Sequence, residues 1–96
     1  MILLSDIVEA NADLMMADLE GEAVLLNIQS GRYFGLNEVG TSIWSLIQEP
    51  KSVSEVLGAL GQIYEAPAEA LHRDVLAFLN DMEKRGLLHV ITTAHV

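Results

Sequence analysis

Three histidines are the first candidates for metal or acid–base chemistry, at positions 72, 89 and 95. No two have the spacing of helical metal ligands, and no HExxH pattern occurs. His72 reads as a helix-surface residue, and His89 and His95 sit in or near a tail. Carboxylates are more numerous. Asp74 and Asp81 lie seven residues apart and so share nearly one helix face. A general acid–base pair needs burial and an opposed partner, and this pair reads instead as part of a solvated face. Ser5, Ser30, Ser42, Ser45, Ser52 and Ser54 have no G-x-S-x-G context. The glycines spell neither GxxxxGK[ST] nor GxGxxG. Without cysteine, a thiolate metal site and a cysteine nucleophile are excluded. The expectation is a protein that is not an enzyme and holds no cofactor and no metal.

Charge narrows the partners. Fourteen acids against five bases give a net charge of −9, and residues 1–31 carry six acids with no Lys or Arg. Nucleic-acid binding rests on neutralising phosphates, so this chain is a poor DNA or RNA binder. Anionic membrane surfaces are disfavoured for the same reason, whereas a neutral or basic peptide is acceptable. At 96 residues, 51% apolar and 20% charged, the chain is one globular domain. It hides roughly 60–65% of its unfolded surface. Residues 1–4 lack the basic region of a signal peptide, and no run reaches the roughly 18 apolar residues that span a bilayer. A cytoplasmic location is expected, with segments 1–11 and 92–96 flexible.

The elements that must position any site follow from periodicity. Before about Asn37 the apolar period is near two, and after it near three and a half. Residues 12–19, 23–29 and 32–36 read as three strands, with turns at Glu20-Gly21 and Ser30-Gly31. With Ser30-Gly31 as a two-residue turn, Ile28 opposes Tyr33 and Leu26 opposes Gly35. Val24, Leu26, Ile28 and Tyr33 then share one face, and Leu25, Phe34 and Leu36 the other. Both faces are apolar, which implies extra covering or a partner. Asn37 caps a helix carrying Val39, Ile43, Trp44, Leu46 and Ile47, stopped by Pro50. Ser52-Val53-Ser54-Glu55 is a capping box opening a helix striped by Val53, Val56, Leu57, Leu60 and Ile63. Gly58 and Gly61 weaken that helix, and close packing is one reading of them. Pro67 opens a third helix striped by Leu71, Val75, Phe78, Leu79 and Met82. Lys84, Arg85 and Gly86 suit its end. Residues 87–91 form a short last strand. The fold class is α+β, a three-stranded antiparallel β-meander followed by three α-helices.

Strand 32–36 ends the meander and carries Tyr33 and Phe34, with Arg32 its one charge. Exposed edges are usually blunted by charge or proline. Either the third helix or segment 87–91 covers this edge, or it is open to an incoming peptide strand. Met15, Met16 and Met82 read as core filler.

The ordered set Gly31-Arg32-Tyr33-Phe34-Gly35-Leu36-Asn37, Gly40 and Ile43-Trp44-Ser45-Leu46-Ile47 resembles the signature of PqqD-like proteins. Ser52 to Val56, Leu60, Tyr64, Asp74-Val75, Phe78-Leu79 and Gly86-Leu87-Leu88 extend the likeness over about residues 20–90. The resemblance implies a RiPP recognition element, a winged helix-turn-helix-like module that binds leader peptides of ribosomally made, post-translationally modified peptides. In such modules the leader adds to the third strand and lies against the third helix. By position this singles out Arg32, Tyr33, Phe34, Gly35 and Leu36 on the strand, and Leu71, Asp74, Val75 and Phe78 on the helix. Asp74 would pair a basic leader residue. The absence of Lys and Arg in residues 1–31 departs from the quinone-cofactor member. That departure points to the broader group of stand-alone leader-binding proteins. The resemblance implies a lasso-peptide pathway with a leader protease as partner first and a radical-SAM enzyme second, and these residues leave the two open. Two other readings compete. A DNA-binding regulator is opposed by Glu69, Asp74, Asp81 and Glu83 on the helix that carries Arg73, Lys84 and Arg85. A structural subunit would use the open edge for self-association, as a homodimer.

Overall fold

The computed structural model describes residues 2–19 and 22–91. Nine elements run in the order β1 (Ile7–Ala10), β2 (Leu14–Leu19), β3 (Glu22–Asn27), β4 (Tyr33–Leu36), α1 (Glu38–Leu46), β5 (Lys51–Ser52), α2 (Val53–Ile63), α3 (Ala68–Lys84) and β6 (Leu88–Ile91). The strands form two antiparallel sheets, ordered β5-β1-β6 and β2-β3-β4. The α+β class and the meander followed by three helices are thus present, with a second sheet added. Among the described residues no helix is long and apolar enough to cross a membrane.

That second sheet takes in Ile7–Ala10, within the segment expected to be flexible. Val8 is fully buried, Ile2 nearly so, and the Ile2 N–H donates to Asn80 Oδ1 at 3.1 Å. β1 pairs Ile7 with Ile91 through Ala10 with Leu88, tying the start of the chain to its end. The strand was illegible locally because its ladder partner lies about eighty positions away. The expected Glu20-Gly21 turn and the expected flexible tail 92–96 lie outside the described residues.

The helix signals act as their chemistry requires. Asn37 Oδ1 accepts the Gly40 N–H at 2.7 Å. The Ser52 capping box is closed in both directions, at 3.1 and 3.0 Å. α3 ends in a Schellman arrangement: Leu87 N–H donates to Met82 C=O and Gly86 N–H to Glu83 C=O, both at 3.0 Å, with Gly86 at φ +74°. The core gathers Ile43, Trp44 and Ile47, then Val53, Val56 and Leu60, then Val75, Leu79 and Met82. Ile63 leaves the expected stripe and is exposed. Gly58 and Gly61 are not packing contacts, since a Cβ at either would meet nothing within 4 Å.

The meander keeps its expected faces but not its expected register. Leu26 pairs with Tyr33 and Leu25 with Phe34, two residues away from the two-residue turn geometry. Asn27 is responsible. Its Oδ1 accepts the Gln29 and Ser30 N–H groups, and its C=O accepts the Gly31 N–H at 2.8 Å, widening the turn. Gly31 takes φ +73° there. A shift of two preserves side-chain parity, so Leu25 still faces the core, fully buried.

Candidate peptide-binding groove

Among the described residues β4 is an edge of its sheet, and segment 88–91 does not cover it because it pairs with β1 instead. The Asn27 N–H donates to Arg32 C=O at 2.9 Å, which makes that pair hydrogen-bonded. Antiparallel alternation then turns Phe34 and Leu36 toward β3 for their backbone bonds. The N–H and C=O groups of Tyr33 and Gly35 point away from the sheet, along the open edge. A strand arriving there finds two donors and two acceptors in register.

Side chains of β4 alternate likewise. Phe34 and Leu36 are half-buried on the helix side, whereas Tyr33 is 71% exposed and Gly35 is exposed. Between β4 and α3 lies a groove of about 300 Å³, lined by Tyr33 to Leu36, Phe78, Asp81, Met82, Arg85 and Leu87. Beyond Phe78 lies a second concavity of about 480 Å³. Its walls are Val39, Gly40 and Ile43 of α1, Leu71, Asp74 and Phe78 of α3, and Tyr64 to Ala66 between α2 and α3. Phe78 lines both and divides them. Its ring rests on α1 at Gly40, where a Cβ would come within 2.9 Å of the ring. Tyr64 is held at the other wall by a 2.9 Å hydrogen bond between its hydroxyl and Ser42 Oγ.

Charges sit at the rim. Arg85 bonds Asp81 at 3.0 Å and places its guanidinium 5.7 Å from the centre of the Phe34 ring. Asp74 is exposed beside the second concavity, its oxygen 3.7 Å from Arg73 Nε. Exposed pairs of this kind contribute little, so Asp74 remains open to a cationic partner. Arg32 is exposed in the turn before β4, bordering a depression shared with Phe34, Lys84 and Arg85. The described residues contain no group of His, Cys, Asp or Glu able to hold a metal.

The structure therefore brings Tyr33, Phe34, Gly35, Leu36 and Phe78 around the first concavity and Leu71, Asp74 and Phe78 around the second, with Arg32 on a separate depression beside Phe34. Val75 is a correction. At 1% exposure it belongs to the core, because the helix turns it toward Leu79 and Met82 rather than the groove. Arg85, Asp81 and Gly40 were missed as groove residues. The four-residue spacing of Asp81 and Arg85 signalled an ion pair, but nothing local placed it over Phe34. Met15 and Met16, expected as core filler, are both exposed.

An edge strand beside a long amphipathic helix defines a small α+β module with a groove between them. Residues 22–88, more than half of the sequence, match the family model of coenzyme PQQ synthesis protein D (PqqD). The chain belongs to the PqqD family. Among solved structures, "TbiB1 in complex with the TbiA(beta) leader peptide" is 34% identical with a TM-score of 0.75, covering 84% of this chain and 94% of that one. A lasso peptide synthetase B1 complexed with the leader peptide is 23% identical with a TM-score of 0.74, covering 85% and 96%. The PqqD truncation of Methylobacterium extorquens PqqCD, a stand-alone RiPP recognition element, is 23% identical with a TM-score of 0.77, covering 93% and 95%. No curated protein sequence matches the chain.

Proposed function

We propose that this protein binds the leader region of a ribosomally synthesised precursor peptide and presents the peptide to a processing enzyme. The observation that carries the reading is the unpaired edge of β4 set beside the groove of Phe34, Leu36 and Phe78. The leader adds as a strand, exchanging hydrogen bonds with the outward groups of Tyr33 and Gly35. Side chains on one of its faces enter the two concavities on either side of Phe78, and a basic residue meets Asp74. The protein acts by binding and positioning rather than by catalysis, in the cytoplasm where the precursor is made. The 34% identity to TbiB1, a protein held with a leader peptide, supports this reading, and the enzyme we assign to it is a leader protease of a lasso-peptide pathway.

The test is fluorescence anisotropy of a labelled leader peptide, taken from the precursor gene nearest this protein's own. Saturation between nanomolar and low-micromolar protein, roughly −12 to −8 kcal/mol, is expected. Flat anisotropy to high-micromolar protein with a verified fold overturns the reading. Self-association through the same edge would then be tested by mass measurement across concentration.

A further inference from the structure

The meander has a second apolar face, which meets the leader groove only along β4 at Tyr33 and Gly35. The ladder pairs Met15 with Leu26 and Leu26 with Tyr33, so these three side chains form one row across all three strands. Ala17, Val24 and Gly35 form the next row. The Ile28 N–H donates to the Asp13 C=O at 3.2 Å, continuing the register into the turn. Met15 is 57% and Ile28 59% exposed. A contiguous apolar face of this kind on a small protein marks a docking surface.

Charge selects the occupant. Asp13 borders this face opposite Ile28, and residues 13 to 31 contain no Lys or Arg. A second copy, itself at net charge −9, would meet a chain of its own sign. The complement is an apolar patch flanked by Lys and Arg. Geometry adds a reason for the partner to be the enzyme that acts on the bound peptide. A strand added to β4 extends this outer face, so its outward side chains continue the row of Met15, Leu26 and Tyr33. One surface then displays the protein and its cargo together.

We propose that this outer face of the meander is where the processing enzyme docks, through an apolar patch rimmed by basic residues. The inference rests on the leader-binding reading, and the experiment separates the two. The probe is the purified enzyme encoded beside this protein's gene, assayed on the full precursor. The variant is Met15→Lys/Ile28→Lys, and neither residue touches the groove. Its leader Kd should stay within about twofold of the parent, while KM for the loaded complex rises about tenfold or more with kcat little changed. Parent docking should also weaken as salt rises from about 50 to about 500 mM. An unchanged KM overturns the docking proposal alone. A parallel loss of leader affinity also overturns it, by placing the face in the leader site. So does a parent dimer that the variant abolishes, since the face then belongs to a second copy. Failure of the parent to bind leader at all would instead refute the leader-binding reading. Should the double variant lose its fold, Ile28→Lys alone, in the exposed turn, gives the same readouts.

Discussion

Three helical glycines should respond to alanine with opposite signs. In α2, a Cβ at Gly58 or Gly61 meets nothing within 4 Å. Each substitution then carries only the backbone term, a gain of roughly 0.5–1 kcal/mol. For a chain of this size, about 1 kcal/mol moves Tm by roughly 4–8 °C. Gly40 in α1 differs. Its added Cβ would lie 2.9 and 3.0 Å from two atoms of the Phe78 ring and 3.1 Å from Asn37 Oδ1, the oxygen that caps the helix. Carbon atoms prefer about 3.5–4.0 Å, so the ring must retreat by about half an ångström or more. Overpacking of this kind costs about 1–3 kcal/mol, more than the backbone term returns. The net effect is a loss of up to about 2 kcal/mol, and the displaced ring changes the shape of the two concavities it divides. Urea unfolding gives the stabilities, and leader anisotropy should show weaker binding for Gly40→Ala and no change for Gly58→Ala and Gly61→Ala. A Gly40→Ala protein as stable as the parent and binding leader equally well would refute the assignment of Phe78 as the dividing wall.

Ser52→Ala removes one arm of the α2 capping box and should cost about 1 kcal/mol in urea unfolding. The Ser52 backbone N–H, then its hydroxyl, hold the Glu55 carboxyl below the ordinary carboxylate range. A depressed folded-state value means the contribution is complete above the unfolded carboxylate range and is lost as pH falls through the lower folded value. Glu55→Gln should flatten that acid limb. Val75→Glu places a charge in the core and should abolish the cooperative transition in circular dichroism. Asp74→Lys, on an exposed rim, should leave that transition intact while weakening a leader that carries a basic residue at the second concavity. Gly35→Pro deletes an outward N–H without touching the ladder to β3, and should leave circular dichroism intact while weakening leader binding about tenfold.

The parts of the fold written in local chemistry were legible in the sequence. Asn37, Ser52-x-x-Glu55 and Gly86 announce helix ends through hydrogen bonds within a few residues, and each bond is present. Parity fixed the meander faces even though the turn was wider than supposed, because Asn27 draws three N–H groups to itself. β1 and β5 were hidden, one pairing with a strand some eighty residues away and the other only two residues long. The strand side of the groove followed from the resemblance together with a bare edge. On the helix side, periodicity marked Leu71, Val75 and Phe78 as one stripe. Which of them faces the core depends on how α3 docks on α1 and α2, and that is settled only by packing.

The central claim is that the guest becomes a fourth strand of the meander at β4. Amide hydrogen exchange by NMR, with and without the leader peptide, tests it residue by residue. New protection is expected at the Tyr33 and Gly35 amides, with the Phe34 and Leu36 amides already protected by β3 and the β2 edge unchanged. Saturable leader binding that leaves Tyr33 and Gly35 exchanging as before, or that protects β2 instead, would contradict it.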